Sequence, residues 1–341
     1  MNALIAAHDR VLAGAPLLTP VALRKELRAT PVAAQRALQR ACAQGCLLRV
    51  GRGAYILNYV TDEAAIPTPI FPWWGSKRRH VKALVSILFS ELQLSNARAV
   101  TSLFAGTGVV EGTLRNMNIK VLAYDLDAHV VNMHRALGTR ALRAEVVKRF
   151  VAELKGMLRL KRRSRADRYR TRLRNGVLKA KRASGDPALA ARWNLAIRCS
   201  YLGVLRRSGS FAEARLDSLQ AQRVCKALSA HRGLGAACRH MDAFAALRST
   251  PREHLLFVDP PYLLDKPERQ YKAGDFGIRE HAQLAQELKG RHFVLCHRDD
   301  EAIRKLYKDW CEIVRMPRIM NINRADKSGT ELVIVGRGAR R

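Results

Sequence analysis

The stretch that decides the fold is residues 97–127, which read ARAVTSLFAGTGVVEGTLRNMNIKVLAYDLD. The opening letters, ARAVTSLF, are typical of a buried strand. They are followed by a glycine-rich turn that leads into a helix, and then by KVLAYDLD, a second strand that ends on acids. Strand, turn, helix and strand in this order build a parallel sheet with helices on its faces. The segment therefore predicts an α/β fold.

The same order of elements resumes near Cys238 and continues to the end of the chain. HLLFV, RHFVLC and TELVIVG predict strands, and IREHAQLAQELK and DEAIRKLYKDW predict the helices between them. Residues 138–237 separate the two halves of this pattern. The insertion contains RLKRRSRADRYRTRLRNGVLKAKR, which favours a basic helix that follows phosphates over a merely solvated helix face. Arg206 and Arg207 lie in LRRSGSF, which predicts a loop that enters a nucleic-acid groove, or else an ordinary surface hairpin.

Charge narrows the class of partner. The chain has 61 Lys and Arg residues against 29 Asp and Glu residues, a formal net charge of +32. Such an excess favours binding to nucleic acid, with an anionic membrane surface as the alternative. No apolar run is long enough to span a bilayer, and no signal peptide is recognisable. The seven cysteines are scattered, and only Cys42 and Cys46 lie close together, so we expect reduced thiols, no metal site and a cytoplasmic protein.

Residues 1–60 have their own pattern. Thr19-Pro20 and Thr30-Pro31 each predict the capped start of a helix, and CLLRVGRGAYILN predicts two short strands around a turn. Together they indicate a winged helix-turn-helix-like DNA-binding module, with a small helical interaction module as the alternative. Residues 61–70 are the expected linker. The side chains expected to contact DNA are Gln35, Arg36, Gln39 and Arg40 on the second helix, and Arg49 and Arg52 on the wing.

The glycine-rich turn predicts a ligand site at the end of the first strand. Phe104, Gly106 and Gly108 lie between that strand and the next helix, where the backbone can approach a ligand closely. Glu111 occupies the place of the third glycine in a dinucleotide-binding motif. Asp125 ends the next strand, where a carboxylate can bind the two hydroxyls of a ribose. A cofactor that contains a nucleoside fits this pattern.

The apolar strand at residues 255–258 ends on Asp259-Pro260-Pro261-Tyr262. The amino nitrogen of adenine is a poor nucleophile, because its lone pair is delocalised into the ring. A carboxylate and a proline-fixed carbonyl can accept hydrogen bonds from both of its N–H groups, and the prolines set this geometry in advance. The tyrosine offers a face for a base extruded from a duplex. His297, in LCHRDD, is expected to be a structural histidine.

These motifs together resemble the Dam-type (D12 class) family of DNA adenine-N6 methyltransferases. The resemblance covers FPWWGSK, LFAGTG, YDLD, the insertion and DPPY, in that order, although Trp74 and Ser76 are unusual for the family. It implies a Rossmann-like, S-adenosylmethionine-dependent methyltransferase sheet formed by residues 71–137 and 238–341. Residues 138–237 would form the inserted target-recognition region. The implied activity is methylation of adenine N6 in double-stranded DNA, without a metal, by a monomer or weak dimer.

The resemblance also implies roles for individual residues. Asp259, Pro260, Pro261 and Tyr262 would hold the target base. The residues that would contact S-adenosylmethionine are Trp73, Lys77, Phe104, Gly106, Gly108, Asp125, Asp242 and Asp259. Asp242, in HMDAF, would meet the adenine of the cofactor.

Three other functions stay open from the sequence. The protein could methylate adenine in RNA, because the quartet binds an amino group and not a sugar. It could be a DNA-binding regulator with an inactive methyltransferase body, although intact FAGTG and DPPY motifs speak against this. A cytosine-N4 methyltransferase is a closer variant, but that group more often has serine in place of the first acid.

Overall fold

The computed structural model describes residues 19–51, 54–72, 75–160, 163–180, 183–200, 218–263, 276–317 and 330–338. The N-terminal part begins with two helices, α1 (Pro20–Leu27) and α2 (Pro31–Ala43). Each starts with proline directly after a threonine, and the hydroxyls of Thr19 and Thr30 accept hydrogen bonds from backbone N–H groups in the first turn. The predicted caps are therefore confirmed.

A hairpin follows the two helices. Its strands, β1 (Leu47–Gly51) and β2 (Ala54–Leu57), pair antiparallel. One face packs Leu47 and Tyr55 against α2. Val50 and Ile56, on the other face, belong to the hydrophobic core of the large sheet described next. The hairpin is thus buried between α2 and the rest of the protein.

The large sheet has seven strands within the described residues. They are β3 (Val100–Ser102), β4 (Val121–Asp125), β5 (Cys238–His240), β6 (Leu255–Val258), β7 (Phe293–Arg298), β8 (Glu312–Pro317) and β9 (Thr330–Gly336). Their spatial order is β5-β4-β3-β6-β7-β9-β8. Neighbouring strands from β5 to β7 are parallel, whereas β9 runs antiparallel to both β7 and β8. The predicted α/β fold is confirmed, and the mixed sheet is consistent with a methyltransferase fold.

Helices cover both faces of the sheet and form the inserted region. Three helices pack on the face that also receives the hairpin: α3 (Val81–Ser95), α4 (Val109–Asn116) and α5 (Ala128–Ala136). Four helices form the insertion around the buried Trp193: α6 (Arg140–Leu158), α7 (Arg163–Lys179), α8 (Pro187–Cys199) and α9 (Ser218–Ala230). Three cover the opposite face: α10 (Ala243–Ser249), α11 (Ile278–Leu288) and α12 (Glu301–Tyr307).

The insertion is tied to the segment that precedes α3. Side chains of Asn194 and Arg198, both on α8, donate hydrogen bonds to the backbone carbonyl of Ile70, at 2.7 and 2.9 Å. Ile70 and Phe71 are buried in the core of the insertion. The start of the FPWWGSK motif is therefore anchored before the chain reaches Lys77. Among the described helices, none is long and apolar enough to cross a membrane.

Candidate active site

The Asp259–Tyr262 quartet, residues 259–262, begins where β6 ends. This strand lies in the middle of the sheet, with β3 and β7 as parallel neighbours. All four of its residues are buried, and Asp259 is the first residue beyond it. The strand therefore delivers this carboxylate to the carboxyl edge of the sheet, where ligands of open α/β sheets bind.

Lys77 reaches the same place from a short 3-10 helix, Lys77–Arg79. The Lys77 side chain is 5% exposed, and its Nζ lies 2.6 Å from Oδ1 of Asp259. The same ammonium lies 3.5 Å from Oε1 of Glu331 and 4.9 Å from the centroid of the Tyr262 ring. The family resemblance implies that Lys77 contacts the cofactor. The structure shows that its ammonium forms an ion pair with Asp259, the acid of the quartet.

Glu331, the second residue of β9, is also buried in this cluster. The Tyr262 hydroxyl donates a hydrogen bond to its Oε1 at 2.5 Å. From the sequence, only the ring of Tyr262 has a role. The structure adds a hydroxyl that is hydrogen-bonded to Glu331.

Three further side chains hold the loop that follows β6. The imidazole of His281 donates a hydrogen bond to the backbone at Pro261, which can only be its carbonyl because proline has no N–H. His297 accepts the backbone N–H of Leu263 through Nε2 (3.0 Å) and donates through Nδ1 to the carbonyl of Arg298 (2.7 Å). Arg298 donates to the Leu263 carbonyl. His297 is thus a structural histidine, as expected, and the quartet is fixed before any ligand binds.

The protonation of these histidines agrees with their bonds. His297 needs one protonated and one unprotonated nitrogen for its two partners, which is the neutral form of the ring. Burial lowers the pKa of His297 to about 3 and that of His281 to about 4. Both imidazoles are therefore neutral at neutral pH.

Burial and Lys77 act in opposite directions on Asp259. Burial raises the pKa of this carboxyl, the Lys77 ammonium lowers it, and the negative charge of Glu331 raises it, so that the pKa lies at about 6. Burial alone would lower the pKa of Lys77, but Asp259, Tyr262 and Glu331 together raise it well above its ordinary value. The pair is therefore charged at neutral pH.

The glycine-rich turn contacts the end of the next strand. The backbone N–H of Gly106 donates to Oδ2 of Asp125 at 2.9 Å, and Oδ1 accepts the N–H of Asp127 at 2.8 Å. Gly106 and Gly108 both have positive φ values, +46° and +67°. A Cβ at Gly108 would lie 2.5 Å from Cε1 of His134, so a side chain does not fit there. The structure thus brings the two motifs together. Both backbone groups of Gly106 have partners within the protein, because His134 Nε2 lies 3.0 Å from its carbonyl oxygen.

Buried carboxylates lie around this turn. Glu111 accepts a hydrogen bond from the Ser102 hydroxyl at 2.6 Å, and burial raises its pKa to about 7. Burial likewise raises the pKa of Asp125 to about 7. These acids and Asp259 form a floor of buried carboxyl groups in a strongly basic protein. A cationic sulfonium that carries a nucleoside fits this set of groups, because its charge would stabilise the ionised carboxylates.

An aromatic cluster borders the same edge of the sheet. The rings of Phe104 and Phe276 meet edge to face with centroids 5.6 Å apart, and Phe276 stacks on Phe244 at 6.1 Å. Asp242 lies beyond β5 and caps α10 by accepting the backbone N–H groups of Phe244 and Ala245. Of the residues predicted to bind the cofactor, Trp73 lies outside the described residues, and the others lie near the carboxyl edge on four adjacent strands or, for Lys77, beside it.

The residues predicted to bind DNA lie on α2 and on the hairpin, or outside the described residues. On α2, Arg36, Gln39 and Arg40 are exposed. Gln35 instead donates a hydrogen bond to the hydroxyl of Tyr55 on the hairpin, at 3.2 Å. Arg49 is exposed on β1. Arg52, Arg206 and Arg207 lie outside the described residues.

Sequence reasoning missed the positions of Glu331 and His281 in the site, and it missed the burial of Glu111 beside the turn. Each is a polar residue on an otherwise apolar strand or helix face, and this pattern was the available signal. His281, for example, lies on the buried face of α11 with Leu284, Ala285 and Leu288. Among the described residues, no group of three or more His, Cys, Asp or Glu side chains could hold a metal ion.

The fold and this site define a methyltransferase-like α/β protein. Residues 73–322 match the family of D12 class N6 adenine-specific DNA methyltransferases. The chain belongs to this family. Its members methylate adenine in DNA and use S-adenosylmethionine. No curated protein sequence matches the chain significantly.

Proposed function

We propose that the protein transfers a methyl group from S-adenosylmethionine to N6 of an adenine that is flipped out of double-stranded DNA. The observation that carries this proposal is the buried ion pair between Lys77 and Asp259 at the start of the quartet. It supports a carboxylate that is charged, fixed and placed at the carboxyl edge of the sheet. The family match supports adenine in DNA as the substrate.

In this proposal the quartet activates the amino group of adenine. Asp259 accepts one N–H and the carbonyl of Pro260 accepts the other, which draws electron density toward N6 and turns the nitrogen toward sp3 geometry. The hydrogen bonds of Pro261, Tyr262 and Leu263 to neighbouring side chains hold these acceptors in place. Little entropy is then lost when the base enters.

The turn after β3 and the ends of β4 and β5 would hold the cofactor. Gly106 and Gly108 would let the backbone approach it, Asp125 would accept its ribose hydroxyls, and Phe104 would line it. Asp242 would meet its adenine, and Trp73 and Lys77 would contact it from the FPWWGSK side. S-adenosylmethionine supplies a methyl group that its sulfonium has already activated. The protein then has to align the nucleophile and exclude water.

Two other parts of the chain would bind DNA. Residues 1–60 would form a winged helix-turn-helix-like module with Arg36, Gln39 and Arg40 on its exposed helix face. Residues 138–237 would recognise the target sequence, with Arg206 and Arg207 in the recognition loop. The 17-residue α7 contains seven arginines and lysines by its sequence, RSRADRYRTRLRNGVLK, which suits contact with phosphates.

Product analysis tests the proposal directly. The protein is incubated with labelled S-adenosylmethionine and either duplex DNA or duplex RNA of matched sequence, and the nucleosides are separated after digestion. We expect N6-methyladenine from DNA. Label in RNA alone, or in N4-methylcytosine, would contradict the proposed substrate, and a chain that fails to bind the cofactor would support an inactive methyltransferase body.

Substitutions at Tyr262 distinguish stacking of its ring on the target base from the hydrogen bond of its hydroxyl. Tyr262→Phe keeps the ring and should keep most of the activity, although loss of the bond to Glu331 should lower stability by about 1.5–3 kcal/mol. Tyr262→Ala removes the stacking surface, which is worth about 1–3 kcal/mol per base, or roughly 5- to 150-fold in rate. Single-turnover rates and urea unfolding of both variants check this.

A second substrate sharpens the Tyr262 comparison. The defect of Tyr262→Ala should shrink when the target adenine lies opposite a mismatch or an abasic site, because less unstacking energy then has to be recovered. If phenylalanine reduced the rate as much as alanine does, the hydroxyl would be the working group and the stacking role would be wrong.

The charge of Glu331 is expected to shift the acidic limb of the pH–rate profile, which is the fall in rate at low pH. Asp259 acts as a carboxylate, so the rate should fall as the pH drops through about 6. Glu331 raises that pKa, and Glu331→Gln removes its charge but keeps an acceptor for Tyr262. The limb should therefore move to lower pH. Glu301→Gln, at an exposed carboxylate on α12, is the control and should leave the limb in place. If the acidic limb of Glu331→Gln stayed at the same pH as in the wild type, or moved to higher pH, the charge of Glu331 would not raise the pKa of Asp259.

A further inference from the structure

A cleft of about 390 Å3 opens between the hairpin and the first turn of α3. Four cationic side chains line it, together with one carboxylate. The cations are Arg49, Arg78, Arg79 and Lys82, and the acid is Glu63. We call it the basic cleft. It is formed jointly by the N-terminal hairpin and the catalytic sheet, and Arg49 is the only one of its charged residues that the sequence analysis singles out.

The basic cleft lies directly beside the candidate active site. Lys77 and Arg79 belong to one 3-10 helix. Lys77 points from it to Asp259, whereas Arg78 and Arg79 line the cleft. Strand β8 also places the cleft next to the quartet. Its Met316 lines the cleft and lies opposite Glu331 in the β8–β9 ladder. The cleft and the quartet are therefore neighbours at the carboxyl edge of the sheet.

The charges of the cleft favour a polyanion. Arg49, Arg78 and Arg79 are exposed. Glu63 is the only carboxylate of the described lining. It forms an ion pair with Lys82. Arginine side chains bind phosphate oxygens in a bidentate geometry and keep their charge at any physiological pH. Four cations against one carboxylate give the lining a formal excess of positive charge.

We propose that the basic cleft binds backbone phosphates of the DNA next to the target adenine. The inference rests on the proposed methylation of duplex DNA, which it deepens by naming where the strand runs. A base flipped into the quartet leaves its flanking phosphates at the mouth of the site, and Arg78 and Arg79 are the cations carried there by the same helix as Lys77. The hairpin, through Arg49, then contributes to DNA binding from the side of the active site.

The test compares charge removal at two edges of the sheet. Arg78→Gln/Arg79→Gln removes two cations from the cleft. Arg98→Gln/Lys120→Gln is the matched control, because both residues are exposed and lie before β3 and β4, at the amino edge. Duplex DNA affinity is measured at several salt concentrations, with cofactor binding and thermal unfolding as checks on folding.

Loss of two phosphate contacts should reduce the slope of log affinity against log salt by roughly 1.8. The defect of the cleft variant should then shrink about 12-fold between 50 and 200 mM salt. The control should keep the wild-type slope. Equal slopes for the cleft variant, the control and the wild type would overturn the proposal, as would a defect confined to duplex RNA.

Glu63→Gln provides a change of opposite sign. It frees Lys82 from its partner, so the slope should become steeper, by up to about 0.9 for one additional phosphate. A shallower slope would contradict the proposal. Product analysis reports separately on the proposed function. A protein that methylates DNA with an unaltered slope in the cleft variant would refute the cleft alone, whereas a reduced slope without methylation would refute the activity and leave the phosphate contact supported.

Discussion

Asp259→Ala is expected to abolish methyl transfer while the protein still binds S-adenosylmethionine and duplex DNA. Asp259 would act mainly on the nucleophile, by accepting an N–H of the target adenine. Loss of one charged hydrogen bond costs about 1.5–3 kcal/mol, which is at least roughly 10- to 150-fold in rate. Misalignment of the amino group should add to this loss. Single-turnover methylation and equilibrium binding of both ligands measure the two halves of the prediction.

The ion pair with Lys77 makes a control necessary. Alanine at 259 leaves the buried ammonium with Glu331, 3.5 Å away, as its remaining carboxylate. Breaking a buried pair costs up to about 3–5 kcal/mol in stability. Asp259→Ala/Lys77→Met/Glu331→Gln removes all three charges of the cluster, keeps an acceptor for Tyr262, and should recover stability without recovering the rate. Near-normal turnover in Asp259→Ala, or a rate that returns together with stability in the triple variant, would show that the quartet is not the catalytic site.

The grouping of site residues at the carboxyl edge of the sheet could be predicted from the sequence, because parallel strands end at the same edge. Strand patterns that end at Phe104, Asp125 and Asp259 place these residues together without any knowledge of side-chain contacts. Glu331 could not be placed in this way. It lies near the beginning of β9, which runs antiparallel and so starts at the edge where the parallel strands end. The pairing of Lys77 with Asp259 joins residues far apart in the sequence, and no local pattern encodes it.

The packing of the hairpin shows a different limit of prediction from the sequence. From the sequence, residues 1–60 are a separate module and residues 61–70 are a linker. A wing with one solvated face would alternate apolar and polar residues, yet β1 and β2 have apolar residues on both faces, with Leu47 and Tyr55 on one and Val50 and Ile56 on the other. This double pattern was visible in the sequence. It indicates that both faces are buried, but it does not say against what.

A chain that begins near Ile66 is therefore expected to lose stability, whereas removal of a separate N-terminal module would leave the catalytic fold intact. The cut removes Val50, Ile56 and Val60, each at most 2% exposed in the core shared with α3 and the sheet. Burial of one such side chain is worth about 1.5–3 kcal/mol, so the three contribute on the order of 4.5–9 kcal/mol. Whole domains are stable by only about 5–15 kcal/mol. The truncated chain should unfold at a much lower urea concentration or fail to fold cooperatively.

Point variants in the full chain separate this packing effect from the loss of the DNA-binding residues. Ile56→Ala creates a cavity in the shared core and should cost about 2–5 kcal/mol. Val32→Ala is the matched control, since Val32 lies on α2 in the same N-terminal part but is 59% exposed, and it should change stability by about 0.5 kcal/mol or less. Ile56→Ala should also weaken S-adenosylmethionine binding at urea concentrations near the lowered midpoint of its unfolding transition, because the sheet that carries the site unfolds with the hairpin. If the chain from Ile66 unfolded at the same urea concentration as the full chain, and Ile56→Ala matched Val32→Ala, the hairpin would be a separable module and the shared core would contribute nothing to the catalytic fold.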